Sequence, residues 1–343
     1  MTLFSTNFNS EINKIEDVHQ IKIDVPWSVK NVSVYLFDHK GSKILFDSGF
    51  KMENWSKLFF SALNNINISI KDIDYCFISH NHTDHVGLAP TLKLKNPNLK
   101  ILMHDITNET LKWETEKENL KEFDKEARKV AYQMIQYGFN EDQSEKAVQF
   151  LSYWPKLRQY QKPDIILHDG DKILNDLEII WTPGHSFGHI CLFNTKNKFL
   201  FCGDHILSRI TPHIGNYVIP KFLTEQYEGY DFKNILSHYL SSLDRIDSLN
   251  PKIIFPAHQE IIYDPHKRIS EIKEHHKNRL AEISRVIKDN PLTPLRISQL
   301  HFGDLDDTNS YLALSEVLGH LFFLENQGLV KSVEKNKKIL YYS

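Results

Sequence analysis

Between Phe77 and Gly87 the chain reads Phe-Ile-Ser-His-Asn-His-Thr-Asp-His-Val-Gly, with His80, His82, Asp84 and His85 falling within six positions. Nothing else in the sequence constrains the fold so strongly. Imidazole is mostly neutral near pH 7, so a cluster of it serves as metal ligands or as proton-transfer groups. The preceding residues, Asp74 to Ser79, form a short apolar run with aromatic and β-branched members, which predicts a buried strand. The cluster therefore begins where a strand ends. Side chains two apart on extended backbone share a face, so His80 and His82 can converge on one ion. The chain must then turn, and Asp84 and His85, in a local helical or irregular geometry, can face a second ion. A solvated loop is the usual fate of a lone histidine, but four such residues at this spacing favour metal binding.

The whole chain has 343 residues, 41% hydrophobic and 25% charged, an ordinary globular composition with room for one large domain and a small one. A formal charge of -3 gives no general attraction to nucleic acid or to an anionic membrane. No apolar run approaches the roughly 20 residues of a membrane span. The first residues, MTLFSTNFNSEINKIEDVHQ, lack the basic start and apolar core of a leader, so a cytoplasmic location is expected. Cys76, Cys191 and Cys202 are odd in number and sit in separate apolar runs, which predicts buried reduced thiols.

Two ions need more donors, and three further strand-like runs end in them. Glu178 to Thr182 leads through Pro183-Gly184 to His185 and, four residues on, His189. Phe199 to Cys202 leads through Gly203 to Asp204 and His205. Lys252 to Phe255 leads through Pro256-Ala257 to His258. In each, a small residue precedes the donor, where glycine or alanine lets the backbone come close to an ion.

In these motifs the chain resembles the metallo-β-lactamase-fold hydrolases, whose signature is HxHxDH followed by a lone His, a lone Asp and a lone His. The resemblance spans about residues 20 to 265. It implies that His80, His82 and His185 bind a first metal, that Asp84, His85 and His258 bind a second, and that Asp204 bridges them. It also implies that Asp47, in Lys43-Ile44-Leu45-Phe46-Asp47-Ser48-Gly49, lies under the site and orients a ligating imidazole. His189 and His205 are expected behind the ligands rather than among them. The implied fold is α/β, a four-layer αββα sandwich with the metals at the carboxyl ends of strands.

Along the chain, strands are expected near Ile21 to Val25, Val32 to Phe37 and Lys43 to Phe46, then an amphipathic helix through Trp55, Leu58, Phe59 and Leu63. Residues 105–161 hold one glycine, Gly138, and one proline, Pro155, and predict two or three helices inserted into the catalytic domain, residues 1–265. The surplus of aromatics there is expected mainly to pack these helices. Some, Tyr137 and Trp154 foremost, are candidates to line a cleft roofed by the insertion, and His213 is a third candidate substrate contact. After His258 a helix of about seven turns is expected to end before Asn290-Pro291. Two shorter helical patterns and a hairpin-like ending follow, so residues 266–343 resemble a small winged-helix domain. From Asp264 onward Lys and Arg number 12 and Asp and Glu 11, a balance that disfavours a nucleic-acid face and leaves packing, homodimerisation or pocket closure.

Two ions, zinc by preference with iron or manganese possible, would provide hydroxide at neutral pH, with Asp84 placed to orient it. The expected function is hydrolysis of a small ester, thioester or lactone, making the chain a thioesterase or lactonase by class. The alternatives are a phosphodiesterase or ribonuclease of the same fold, and a non-catalytic metal-binding regulatory protein.

Overall fold

The computed structural model of the protein describes residues 8–26, 29–116, 119–153, 158–214, 219–288 and 290–343. Its first half is a seven-stranded sheet whose spatial order is its chain order: β1 (Ser10–Ile15), β2 (Val18–Asp24), β3 (Asn31–His39), β4 (Ser42–Phe46), β5 (Tyr75–Ile78), β6 (Lys100–His104) and β7 (Ile165–Leu167). β1 to β4 pair antiparallel, and β4 to β7 pair parallel. Each parallel pairing needs a crossover. These crossovers are helix α1 (Glu53–Asn65), helices α2 (Thr83–Val86) and α3 (Ala89–Lys95), and then the inserted helices α4 (Asp105–Thr115), α5 (Leu120–Gln136) and α6 (Glu141–Tyr153).

The second sheet has the order β12-β11-β10-β9-β8, formed by β8 (Lys172–Ile173), β9 (Leu177–Trp181), β10 (Ile190–Asn194), β11 (Phe199–Gly203) and β12 (Ile253–Pro256). β9 and β11 are both antiparallel to β10, and β12 is parallel to β11, so the three strands that lead into His185, Asp204 and His258 run the same way. Helices α7 (Lys221–Gln226) and α8 (Ile235–Ser248) link β11 to β12.

Strand alternation divides the apolar residues into layers. In β3, Val32, Val34 and Leu36 face α1 and α3, while Tyr35 and Phe37 face the second sheet. In β11, Phe199 and Phe201 face the first sheet, while Leu200 and Cys202 face α8. Between the sheets Phe201 stacks on Phe37 and Phe255, ring centroids 4.6 and 4.9 Å apart. The result is the αββα sandwich.

After β12 come α9 (Pro265–Val286), α10 (Pro294–Phe302), α11 (Asp307–Asn326) and an antiparallel hairpin, β13 (Lys331–Lys335) with β14 (Lys338–Tyr342). Asp264 caps α9 by accepting from Lys267 N at 3.1 Å, with Pro265 in the first turn, where its missing N–H costs nothing. A fourth core joins these helices to the insertion, with Val130, Met134 and Phe139 meeting Ile283, Leu314, Leu318 and Tyr341.

Cys76, Cys191 and Cys202 are free and buried, and burial pushes the Cys191 thiol up to about 12. A thiol reagent is therefore expected to leave the native chain unlabelled and to titrate all three cysteines in denaturant. Rapid native labelling would show that one of these layers opens.

Candidate metal centre

The strand ends deliver the donors to one rim. His80 follows β5, and His82 stands just before α2, in extended backbone at φ -70 and ψ 150. That short helix then turns Asp84 and His85 to the other side. The rings of His80, His82 and His185 form a cluster with centroids 4.5 Å (His80–His82), 4.6 Å (His82–His185) and 5.1 Å (His80–His185) apart. With Asp204 they offer four ligand atoms within 4.8 Å of one another, and Asp84, His85 and His258 form a second such group.

Asp204 spans the two groups. Its Oδ2 is 3.3 Å from His185 Nε2, and its Oδ1 is 3.4 Å from His85 Nε2 and 3.2 Å from His258 Nε2. Asp84 Oδ2 completes the second group, 3.6 Å from His85 Nε2 and 3.5 Å from His258 Nε2. Donors about 2.0–2.2 Å from a tetrahedral ion stand about 3.3–3.6 Å apart, so the spacing suits coordination. His80 Nε2, His85 Nε2 and Asp204 Oδ1 are buried with no hydrogen-bond partner. A buried orphan costs about 1–3 kcal/mol, and one cation beside each group would satisfy all three. The residues thus fit a divalent metal.

Electrostatics agree. Burial above all holds His80 and His82 well below the usual histidine range, which leaves their lone pairs free near pH 7. At His85 burial opposes charge, but Asp204, Asp84 and Asp47 outweigh it and raise the imidazole well above that range. His258 is raised in the same way, by Asp204 first and then Asp84, against burial. Carboxylates converging on buried imidazoles create a local demand for positive charge.

The non-ligating nitrogens are engaged too. His85 Nδ1 meets Asp47 Oδ2 at 2.8 Å, His80 Nδ1 meets Ser79 Oγ at 2.9 Å, His185 Nδ1 meets the His213 carbonyl at 3.0 Å, and His258 Nδ1 meets the Asn31 carbonyl at 2.6 Å. Such partners fix ring orientation and tautomer. Asp47 also accepts from Ser79 N at 2.7 Å and from Ser79 Oγ at 2.9 Å, and it sits in left-handed backbone at φ 62.

His189 is outside both groups. Its Nδ1 meets Thr182 Oγ1 at 2.8 Å, and its Nε2 accepts from Asp204 N at 3.2 Å, which anchors the loop that carries Asp204. Gly203 makes this packing possible: at φ 49, a Cβ there would stand 2.8 Å from His189 Nε2 and from Ser79. His205 is fully buried beneath, against Tyr239, and burial pushes it down to about 3.

Of the residues considered for substrate contact, His213 turns its Nε2 to the Leu312 carbonyl and to Ser315 Oγ on α11. Tyr137 packs at the edge of the fourth core, with Leu295 N on its carbonyl at 3.0 Å. Trp154 lies outside the described residues. Sequence reasoning passed over Ser79, and the Asn31 and His213 carbonyls offer no side-chain signal at all. It also passed over Glu114 on α4, which accepts from Asn81 Nδ2 at 3.3 Å and pairs with Arg158.

The family model for the metallo-β-lactamase superfamily matches residues 27–258. The chain belongs to that superfamily. Among superfamily relatives, it is 24% identical over 329 residues to the "Probable metallo-hydrolase YqjP" of Bacillus subtilis, covering 95% of this chain and 98% of that one. It is 26% identical over 312 residues to the "Beta-lactamase-like protein 2 homolog" of Caenorhabditis elegans, covering 90% and 83%. Two solved structures share the fold. A metallo-β-lactamase family protein from Thermus thermophilus has a TM-score of 0.73 at 23% identity, over 96% of this chain and 99% of that one. A β-lactamase domain protein from Burkholderia ambifaria has a TM-score of 0.79 at 20% identity, over 97% and 94%. The chain is thus a metallo-β-lactamase superfamily hydrolase with His and Asp groups suited to divalent metal. Among the described residues no helix is long and apolar enough to cross a membrane.

Proposed function

We propose that the protein is a binuclear metal-dependent hydrolase of small esters, thioesters or lactones. His80, His82 and His185 would hold one ion, Asp84, His85 and His258 would hold the other, and Asp204 would be shared between them. The observation that carries this is the division of the Asp204 carboxylate, one oxygen toward each group. Five imidazoles and two carboxylates suit zinc, with iron or manganese able to occupy the same donors. Bound ions supply Lewis-acid polarisation of the scissile carbonyl and lower the pKa of water towards about 7. Asp84, its side chain 15% exposed at the rim, is placed to accept a hydrogen bond from the attacking water and orient it. His80 and His85, fully buried, keep their rings fixed and exclude bulk water from below.

Substrate choice is assigned to the insertion, residues 105–161. Support comes from α4, which touches both first-group loops: Glu114 reaches Asn81, and Thr107 Oγ1 donates to the Gly188 carbonyl at 2.8 Å. The domains follow as 1–265 for chemistry and 266–343 for a winged-helix-like unit packed on the insertion.

Purified, metal-replete protein is expected to turn over at least one of a panel of thioesters, lactones and aryl esters, and to lose that activity to a chelator and regain it with zinc. Serine- and cysteine-directed inhibitors should not affect it. If no member of the panel exceeds the free-metal control, the protein is a metal-binding regulator instead. Cleavage confined to bis-aryl phosphodiesters or RNA would make it a nuclease.

A further inference from the structure

The carboxyl-terminal helices reach toward the metal centre at residues 211–214. An imidazole that ligates through Nε2 carries its proton on Nδ1 and needs an acceptor there. For His185 that acceptor is the His213 carbonyl, at 3.0 Å. The carbonyl belongs to irregular backbone, residues 211–214, between β11 and α7. Helix α11 holds it. Ile214 N donates to Glu316 Oε2 at 3.2 Å, and His213 Nε2 meets the Leu312 carbonyl at 3.2 Å and the Ser315 hydroxyl. Leu312, Ser315 and Glu316 lie three and four apart, on one helical face. Glu316 is itself buried, and its Oε1 takes Arg279 Nη1 from α9 at 2.6 Å.

We propose that Glu316 and Ser315 are positioning residues for the first metal position, clamping the His213 carbonyl where it sets the tautomer and direction of His185. This rests on the metal assignment above and extends it to the carboxyl-terminal helices. His276 and His320 stand behind Glu316 and, with it, form a buried group of three possible ligands. They do not make a third metal position. Both Glu316 oxygens are already engaged, the Arg279 cation stands beside them, and His320 Nδ1 is spent on the Glu316 carbonyl at 2.7 Å. His276 Nδ1 meets His320 Nε2 at 3.1 Å, so the pair forms the back of the clamp.

The test compares the wild type with Glu316→Ala, Glu316→Gln and Ser315→Ala, loaded with zinc or cobalt(II). It reads the affinity of each position by chelator competition, the cobalt visible spectrum and the thermal midpoint. Glu316→Ala is expected to weaken one of the two positions about 10–100-fold while the other stays within about twofold. The cobalt band that changes should be the one lost in His185→Ala. Glu316→Gln keeps an oxygen for Ile214 N and should recover most of the loss, and Ser315→Ala should give a smaller loss at the same position. If Glu316→Ala fails to fold, the Gln and Ser315 variants decide the matter by the same selective readout. Equal weakening at both positions, or wild-type affinity in all three variants, overturns the clamp alone. A wild type that takes up no transition metal overturns the metal assignment first and the clamp with it.

Discussion

Asp204→Ala is expected to release both ions together and to lower hydrolysis by more than about 10³-fold, the upper end of what loss of a single charge-stabilising group costs in an active site. That factor corresponds to about 4 kcal/mol of transition-state stabilisation. The simultaneous loss follows from geometry, because one carboxylate oxygen faces His185 and the other faces His85 and His258. It also follows from charge. Asp204 is held well below the usual carboxylate range, with burial opposed and outweighed by His258 and His85, so it remains an anion among imidazoles. Removing it leaves three imidazoles and no carboxylate on one side and too little negative charge between the two positions. The loop itself should survive, since Asp204 N still donates to His189 Nε2 in the alanine variant. Elemental analysis with a thermal melt reads both points. A variant that keeps one ion at full occupancy would assign Asp204 to a single position and remove the bridge.

The donors were legible in the sequence because their signal is local. An apolar run, a small residue and a ligand-type side chain announce a strand end, and the structure gathers His80, His82, Asp84, His85, His185, Asp204 and His258 at one rim. β3, β4 and α1 were legible for the same reason, their aromatics and β-branched residues recurring at strand or helix period. β1 was passed over: Ser10–Ile15 is an edge strand whose residues are all exposed or half-buried, and its polar composition carries no alternation to read. Tyr137 shows a different limit. Periodicity says which helical face is apolar, and not which neighbour covers it, so an aromatic weighed as a cleft contact packs instead beside Leu295 and the carboxyl-terminal helices. The acceptors behind the imidazoles are the least legible of all. Asn31 and His213 act through main-chain carbonyls, which every residue has, and only the fold decides which carbonyl meets which ring.

Asp47 shows how far such support reaches, and Asp47→Asn is expected to damage the second metal position more than its near-identical shape suggests. The native carboxylate accepts three hydrogen bonds, from Ser79 N, Ser79 Oγ and His85 Nδ1. A carboxylate has only acceptors to offer, so His85 must place its proton on Nδ1 and present the Nε2 lone pair to Asp84 and Asp204. Asparagine brings two N–H donors. If its nitrogen faces His85, the imidazole must move its proton to Nε2, where it blocks a metal. If the side chain flips, the nitrogen faces the Ser79 backbone N–H, a fixed donor, at a site that is fully buried. The first arrangement imposes the wrong tautomer at the metal position, and the second sets donor against donor where burial makes the mismatch costly. Metal affinity at the position formed by Asp84, His85 and His258 should fall about 10–100-fold, with the first position much less affected. Asp47→Ala removes the support without imposing the wrong tautomer, so its metal loss at that position should be the smaller of the two. Site-resolved cobalt titration of both variants makes the comparison. Alanine proving worse than asparagine there would mean that Asp47 acts by filling space and holding Ser79, and not by setting the proton on His85.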